Sequence, residues 1–320
     1  MQRLPMPLDV TLPFWFDRPA TEAIEIAANA EAAGAHELWI GEMTTWDAAA
    51  LAGAVARTTS RVSIVLGPLA VKVRDSVSLA MAVSSVAALG GRPAHLAIGA
   101  SSPVVVEQWH GRAYERMGTA VIETFEALRP LLAGGRGPGG YRLRLDPPGG
   151  ELRVAVFGPR LTQFAAAHAD GVVLNMSTPE QVVPYRRMLD EAAAAAGRAR
   201  PTLATWMMAG LDPGPRSFQQ AAAQLVAYLH PPGYGEKIAE AGFADLVERA
   251  RSGTVALPAM AADIPDALPR TFGLFGSPRE IVERMTQYRD AGMDRIAIAP
   301  VTGEDPSGSR LLRELARLSR

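Results

Sequence analysis

The chain has 320 residues, of which 48% are hydrophobic and 20% are charged, so it holds ample apolar material for a large core. Its formal net charge of -1 gives no overall basic field that would attract nucleic acid or anionic lipid. It contains no cysteine, which excludes disulfides, thiolate catalysis, cysteine zinc sites and iron–sulfur clusters.

The opening segment, MQRLPMPLDV, lacks the apolar core of a signal peptide. No apolar run approaches the ~20 residues that are needed to cross a membrane. The five histidines do not have the i, i+4 spacing of a helical metal pair. We therefore expect a cytoplasmic soluble protein with no membrane partner, no nucleic-acid partner and no metal site.

Short apolar runs rich in β-branched residues alternate with Ala-rich segments of helical periodicity along the chain. The apolar runs predict strands over residues 8–16, 37–41, 61–69, 95–100, 151–157, 171–175, 202–211 and 295–299. The Ala-rich segments predict helices over residues 19–33, 47–58, 75–89, 104–132, 160–169, 179–196, 217–229, 278–291 and 309–318. Gly34 is placed to end the first helix, Asp75 is a predicted N-cap, and the long helix is interrupted near Gly111 and Gly118.

Two segments depart from this alternation. Residues 134–150 are rich in Gly and Pro and contain YRLRL, which predicts a short strand or hairpin. Residues 231–270 are predicted to be irregular, with a helical piece over 243–251. A compact barrel needs neither segment, so we expect both to shape the mouth of a site or an interface; the alternative is decoration without a function.

The predicted strands show little polar alternation, which is typical of strands covered by helices outside and packed with side chains inside. Eight such strands with intervening helices predict one α/β domain over residues 1–320, a (β/α)8 TIM barrel with insertions before strand 5 and after strand 7. The alternative is a doubly wound open sheet. No GxGxxG follows the first strand and no P-loop motif occurs, which disfavours an open nucleotide-binding sheet.

Barrel sites lie at the carboxyl ends of the strands, and there this sequence is rich in Gly and other small residues. Small residues let a backbone approach a flat ring or a phosphate closely. The helix that begins near Gly158 can also offer free N–H groups to a phosphate. This rim therefore favours a phosphorylated planar ligand over acid–base hydrolysis, although the same residues also serve as ordinary caps and turns.

Four segments, in order along nearly the whole chain, resemble the coenzyme F420-dependent branch of the luciferase-like monooxygenase superfamily. They are AIEIAANAEAAGAHELWIGE, VSIVLGPLAVKVRDSVSLAMAVSSVAALGGRPAHLAIGAS, FGPRLTQFAAAHADGVVLNMSTPEQV and GSPREIVERMTQYRDAGMDRIAIAP. The resemblance implies a luciferase-like barrel that carries a deazaflavin, or alternatively the flavin FMN, on its C-terminal rim. It also implies that two barrels pair as a homodimer.

The resemblance further implies which residues touch the cofactor. A bulge after strand three supports the central ring in this family, and that role falls on Gly67, Pro68 and Leu69. The acidic residue after strand two falls on Glu42. The phosphate loop and the remaining predicted contacts fall on Gly99, Ala100, Ser101, Phe157, Gly158, Pro159, Arg160, Asn175 and Met176.

One branch of the family acts on sugar phosphates and has Asp-His after strand two, with a Glu near the end of strand four. This chain has Glu42 and Met43 at the first place, and Ser101 and Ser102 at the second. The sugar-phosphate chemistry of that branch is therefore not carried over to this chain.

Hydride transfer requires face-to-face placement of ring and substrate, and often one group that moves a proton. His110, in QWHGR beside a flexible Gly111, is the first candidate because histidine titrates near neutral pH. The alternative is a surface or packing histidine. Glu42 is the second candidate; it either bonds the cofactor and moves a proton or is a rim carboxylate paired with an arginine.

The function predicted from these features is an F420-dependent oxidoreductase that transfers a hydride between the deazaflavin and a small organic substrate. One alternative is an FMN-dependent luciferase-like monooxygenase that uses reduced flavin and O2. A second alternative is a non-catalytic relative of these barrels, which the scarcity of strong acid–base residues permits.

Overall fold

A computed structural model describes residues 3–319, and within them short strands alternate with helices. The strands are β1 (Asp9–Thr11), β2 (Glu37–Ile40), β3 (Ser63–Ala70), β4 (Ala94–Gly99), β5 (Gly149–Ala155), β6 (Gly171–Val173), β7 (Thr202–Leu211), β8 (Leu274–Gly276) and β9 (Arg295–Pro300). All except β8 coincide with predicted strands, with ends that shift by a few residues.

The helices are α1 (Glu22–Ala32), α2 (Ala48–Thr58), α3 (Ser76–Gly90), α4 (Met117–Leu132), α5 (Gly158–His168), α6 (Pro179–Ala195), α7 (Pro215–Leu229), α8 (Tyr234–Ile238), α9 (Ala244–Ser252), α10 (Leu257–Met260), α11 (Ala267–Phe272), α12 (Pro278–Asp290) and α13 (Ser309–Leu318). Asp75 caps α3 as predicted, since its carboxylate accepts from the Ser78 N–H at 2.7 Å. Within residues 3–319, no helix is both long enough and apolar enough to cross a membrane.

The strands form a single sheet in the order β6-β5-β4-β3-β2-β1-β9-β7-β8, and a further pairing of β6 with β7 closes it. The residue pairings described along it are parallel. The short β8 pairs with the last residues of β7, Ala209–Leu211, so the other eight strands make the closed barrel. This is the predicted TIM barrel; an open doubly wound sheet would have left both edge strands unpaired.

The chain forms two compact units. The first unit comprises His36–Leu174 and Arg187–Ala204. The second comprises the chain up to Ala35, the segment Asn175–Arg186 and the chain from Thr205 onward. A single domain over residues 1–320 stays a prediction.

A buried ion pair lies in the first unit. The Arg153 guanidinium on β5 donates to both carboxylate oxygens of Glu37 on β2, at 2.6 and 2.7 Å. The Trp39 indole donates to the same carboxylate at 3.0 Å, and Glu151 accepts from Arg153 at 2.7 Å. Burial alone would lower the pKa of Arg153, but the hydrogen bonds that it donates to Glu37 raise the pKa above its usual value. A charge that is buried in this way stabilises the fold only while its partner is present.

In the second unit, the carboxylates of Asp9 and Glu304 bond groups on β9 and α7, and Asp9 is fully buried. Asp9 on β1 accepts two hydrogen bonds from Arg295 on β9, at 2.6 and 2.8 Å. Glu304, which follows β9, accepts from the first N–H groups of α7, at 2.7 Å from Arg216 and 2.9 Å from Ser217. An acceptor at a helix N-terminus satisfies N–H groups that have no partner inside the helix.

Two local predictions are wrong. The first strand is only Asp9–Thr11 rather than residues 8–16, because Pro13 has no N–H for a sheet ladder. Residues 134–150 form no hairpin: a 3₁₀ turn spans Pro138–Gly140, and YRLRL finds no partner strand, although Gly149 and Gly150 begin β5. The predicted interruption of the long helix near Gly111 and Gly118 is confirmed: residues 110–116 separate a π-helical turn at Val104–Trp109 from α4, and Gly118 is the second residue of α4.

The segment 231–270 is not irregular but largely helical. It contains α8, α9, α10 and most of α11, which pack on α7 around buried apolar side chains. Members of this cluster include Leu225, Leu229, Ile238, Val247, Met260 and Leu268. The frequent Pro and Gly residues hide this apolar face in the sequence, since they keep each helix short.

Replacing Arg153 by Met leaves Glu37 as a buried carboxylate without its main partner. We expect the free energy of unfolding, measured by urea denaturation, to fall by about 3–5 kcal/mol. Replacing both Arg153 and Glu37 by Met should recover much of this loss, because an apolar pair carries no desolvation cost. Arg317→Met is the control, since this exposed arginine pairs with Glu314 at 3.3 Å and should cost under about 1 kcal/mol. Equal losses in Arg153→Met and Arg317→Met would contradict this account.

Candidate functional site

The strand β3 contains a bulge at Gly67, Pro68 and Leu69. Leu66 pairs with Leu96 of β4, and the next pairing joins Leu69 to Ile98, so the register shifts between them. Gly67 has a φ of +112°, and the Gly67–Pro68 peptide bond is cis. The structure thus has a bulge at the residues to which the resemblance assigned one, although it lies inside β3 and not after it.

Two glycines let the strand ends approach each other closely. A Cβ on Gly67 would lie 2.1 Å from the carbonyl oxygen of Ala97, which no real side chain can do. A Cβ on Gly99 would lie 3.1 Å from the Cβ of Ala155 and 3.5 Å from that of Pro68. The ends of β3, β4 and β5 therefore meet over glycine, alanine and proline, with no bulky side chain among these five residues.

The segment after β4 carries Ala100, Ser101 and His110. Ser101 is exposed and has a φ of +62°, and its carbonyl accepts from the Tyr114 hydroxyl at 3.0 Å. Lys72, just after β3, donates to the carbonyls of Ala113 at 2.8 Å and Glu115 at 2.7 Å. These bonds tie the loop 110–116 to the ends of β3 and β4.

His110 itself is exposed at the start of this loop. Among residues 3–319, no hydrogen bond or ring contact joins its imidazole to another predicted site residue. Its backbone N–H donates to Val105 at 3.2 Å, which closes the π-helical turn. A role for His110 in moving a proton stays a prediction.

Glu42, two residues after β2, is held by an arginine. Arg74 donates to its carboxylate through Nη2 at 2.5 Å and Nε at 2.9 Å, and Nη2 also bonds the carboxylate of Asp47. The hydrogen bonds to Glu42 raise the pKa of Arg74. Glu42 is thus a carboxylate paired with an arginine, which was one of its two predicted roles. Its contact with a cofactor stays a prediction.

The helix α5 begins at Gly158 with Pro159 in its first turn. Gly158 has a φ of +72°, and a Cβ built there meets nothing within 4 Å. The preceding residue, Phe157, provides no side-chain cap for the helix. Arg160 is exposed, and its guanidinium lies 3.5 Å from the Thr119 hydroxyl. This helix start therefore combines open space, N–H groups without a side-chain cap and a cation.

Asn175 and Met176 lie in the second unit, between β6 and α6. Met176 is buried and has a φ of +50°, and its N–H donates to the Asn175 side-chain oxygen at 3.0 Å. The next residue, Ser177, accepts at its carbonyl from the Tyr288 hydroxyl at 2.9 Å. Asn175 and Met176 thus lie in a turn that is held by hydrogen bonds.

Sequence reasoning missed Lys237, which belongs to α8. Its ammonium donates to the Asn175 carbonyl at 3.1 Å and to the Ser177 hydroxyl at 2.7 Å, and its side chain is buried. Burial lowers the pKa of Lys237 to about 7, although the charge of Glu240 opposes this shift. The one available signal was scarcity, since the sequence has only two lysines, Lys72 and Lys237.

The chain matches one protein family and several known proteins in sequence. The model of the luciferase-like monooxygenase family matches residues 7–295. A 5,10-methylenetetrahydromethanopterin reductase of Archaeoglobus fulgidus is 25% identical over 249 residues, covering 72% of this chain and 74% of the relative. A Mycobacterium tuberculosis protein, provisionally named a coenzyme F420-dependent oxidoreductase, is 26% identical over 217 residues, or 61% and 62% of the two chains.

Solved structures share the fold over nearly their whole length. The coenzyme F420-dependent tetrahydromethanopterin reductase of Methanopyrus kandleri gives a TM-score of 0.75 at 15% identity, covering 98% of each chain. The oxygenating constituent of 3,6-diketocamphane monooxygenase from Pseudomonas putida, in complex with FMN, gives 0.68 at 18% identity, covering 98% of this chain and 97% of that one. These likenesses confirm the predicted luciferase-like barrel and, at such identities, the fold alone.

Gly67 and Gly91 offer a matched test of the bulge, because both have positive φ and only Gly67 is crowded. A Cβ on Gly91 meets nothing within 4 Å. We expect Gly91→Ala to lower the free energy of unfolding by about 1 kcal/mol, the cost of a left-handed alanine. Gly67→Ala should cost more than about 3 kcal/mol, since the backbone of β4 must also move. Indistinguishable urea midpoints for the two variants would show that the bulge is not tightly packed.

The lowered pKa of Lys237 predicts a pH dependence of stability. The folded protein releases this proton near pH 7, whereas the unfolded chain keeps it up to about its ordinary pKa of 10.5. Between these values the unfolded state binds more protons, so the stability contributed at this site rises with pH. Relative to Lys237→Met, the wild-type free energy of unfolding should therefore gain about 2–4 kcal/mol between pH 7 and pH 10. Parallel pH curves for the two proteins, followed by urea denaturation, would refute a depressed pKa.

Proposed function

Because the chain belongs to the luciferase-like monooxygenase family, we propose that it is a coenzyme F420-dependent oxidoreductase that transfers hydride between the deazaflavin and an organic substrate. Its relatives are oxidoreductases and its structural neighbours include monooxygenases, so a luciferase-like oxidoreductase is the coarser conclusion. The names of one relative and one neighbour specify dependence on F420, which supports the finer proposal.

The observation that carries the proposal is the bulge in β3. Gly67, Pro68 and Gly99 present backbone and small side chains at the ends of two neighbouring strands. A planar ring needs such a surface, because any larger side chain would hold it away from the backbone. These residues therefore fit the ring of a deazaflavin or a flavin.

The start of α5 fits the phosphate of the same cofactor. The space in front of Gly158 is open, and the first N–H groups of α5 lack a side-chain cap. The positive end of the helix dipole and the guanidinium of Arg160 both attract an anion. We assign Gly158, Pro159 and Arg160 to the phosphate and Phe157 to the wall beside it.

When bound, the deazaflavin supplies a carbon that accepts or releases hydride. The residues of this chain have the remaining tasks, which are to orient the substrate, exclude water and move one proton. In the proposal His110 moves that proton, on a loop that Lys72 and Tyr114 hold against the strand ends. Glu42 is assigned as a fixed hydrogen-bond acceptor, since Arg74 already occupies both of its oxygens.

The second candidate function is an FMN-dependent monooxygenase that uses reduced flavin and O2. The neighbour solved with FMN favours it, because its fold matches over almost the whole chain. The bulge and the helix start accommodate a flavin as well as a deazaflavin. The identity of the bound cofactor therefore decides between the two functions.

Titration of the purified protein with F420 tests the proposal, with quenching of the cofactor's fluorescence as the readout and FMN as the competing ligand. We expect a dissociation constant of about 10 μM or tighter for F420, within the range in which enzymes commonly bind their small ligands. FMN should bind at least about tenfold more weakly, which corresponds to about 1.4 kcal/mol.

The matched pair Arg160→Ala and Arg187→Ala serves as the control. Arg160 belongs to the proposed phosphate site, whereas Arg187 is exposed on α6 beside Glu191. Only Arg160→Ala should weaken F420 binding. Tight binding of FMN without binding of F420 would replace the proposal with the monooxygenase, and failure of both cofactors to raise the melting temperature would favour a non-catalytic barrel.

A further inference from the structure

We propose that Lys237 is a positioning residue: its side-chain nitrogen holds the turn Asn175–Ser177, in which Met176 is left-handed, and so fixes the residues predicted to contact the cofactor. The part of this inference that concerns the cofactor rests on the proposed function. The part that concerns the turn rests only on contacts inside the second unit.

The turn needs an external restraint. Met176 has a φ of +50°, a region that residues with a side chain rarely adopt, because the Cβ crowds the following carbonyl. Such a conformation persists only when surrounding contacts over-determine it. Met176 is also buried, so water does not provide that restraint.

Lys237 bonds both neighbours of Met176. Its Nζ lies 3.1 Å from the carbonyl oxygen of Asn175 and 2.7 Å from the hydroxyl of Ser177. The backbone of Lys237 takes part as well, since its carbonyl accepts from the Gln181 side chain at 2.9 Å. One residue of α8 is thus anchored to both the turn and the first part of α6.

The aromatic ring of Tyr185 near the side-chain nitrogen also favours a lysine. Nζ lies 5.0 Å from the centre of the Tyr185 ring, where the face of the ring attracts a cation. A compact ammonium with three donors can serve a carbonyl, a hydroxyl and a ring face together, whereas the planar fork of arginine cannot. This explains why a chain with 32 lysines and arginines, only two of them lysine, has one here.

Other titratable groups lie near Lys237 or bond the turn. The charge of Glu240, in the segment 231–270, favours the charged form of Lys237. Tyr228 on α7 bonds Asn175, and burial raises the pKa of Tyr228. Tyr288 on α12 donates to the Ser177 carbonyl at 2.9 Å. Glu236 beside Lys237 is engaged by Arg251 at 2.6 Å and does not bond the turn.

Lys237→Met tests the proposal, because methionine has nearly the same length but no donors. The matched control is Arg251→Met. It breaks the exposed pair between Arg251 on α9 and Glu236, the neighbour of Lys237 on α8, and it removes no bond to the turn. In the absence of cofactor, we expect hydrogen–deuterium exchange over residues 174–178 to become at least tenfold faster in Lys237→Met and to stay unchanged in Arg251→Met.

Two further readouts separate positioning from a purely structural role. The dissociation constant for F420, followed by fluorescence, should rise at least fivefold in Lys237→Met. The melting temperature at pH 7.5 should stay equal or rise, because the variant no longer buries an amine. A structural role alone would lower the melting temperature and leave the affinity of the folded protein intact.

Unchanged exchange over residues 174–178 in Lys237→Met would overturn the proposal. Faster exchange with unchanged F420 affinity would also overturn it, since the turn would then move without consequence for the cofactor. If the wild-type protein binds neither F420 nor FMN, the proposed function fails by that result, and the exchange experiment still decides whether Lys237 holds the turn.

Discussion

Strand β3 must fit one more residue between Leu66 and Leu69 than its partner β4 provides, and the backbone achieves this at a glycine. Only glycine fits at position 67, because a Cβ there would lie 2.1 Å from the Ala97 carbonyl oxygen. The extra residue turns Pro68 toward Gly99, where again no side chain intervenes. The proposed ring site depends on this arrangement more than on any acidic or basic group.

Cations serve two different purposes in this chain. Arg153 bonds Glu37 through a two-point contact that is buried in the first unit and ties β2 to β5. Lys72 instead donates to main-chain carbonyls of the loop 110–116, and Lys237 to a main-chain carbonyl of the turn between β6 and α6. The difference follows from chemistry, because arginine matches a carboxylate and lysine suits scattered single acceptors.

Most strands and helices could be predicted because each depends on a local pattern. Asp75 before an apolar periodic segment specifies the start of α3, and ELWI is apolar enough to be a buried strand wherever it pairs. The hairpin expected in YRLRL failed because a strand needs a partner, and alternation of Arg and Leu cannot supply one. Of the helices in 231–270, only the piece over 243–251, observed as α9, was predicted; α8, α10 and α11 were not, because their apolar face is completed only by packing on α7.

The residues of the candidate site also differ in whether the sequence could predict them. The start of α5 was identifiable because Gly and Pro report backbone requirements directly in the sequence, whereas the bulge residues were assigned through the family resemblance. Lys237 was not, because it lies 62 residues from Asn175 and no local pattern connects the two. The pairing of Glu42 with Arg74 likewise spans 32 residues and is set by the barrel.

A crystal structure of the protein with F420 bound tests the central claim most directly. The account predicts that the deazaflavin ring lies against Gly67, Pro68 and Gly99, with its phosphate at the first N–H groups of α5. A ring bound elsewhere, or a phosphate far from Gly158, would contradict it.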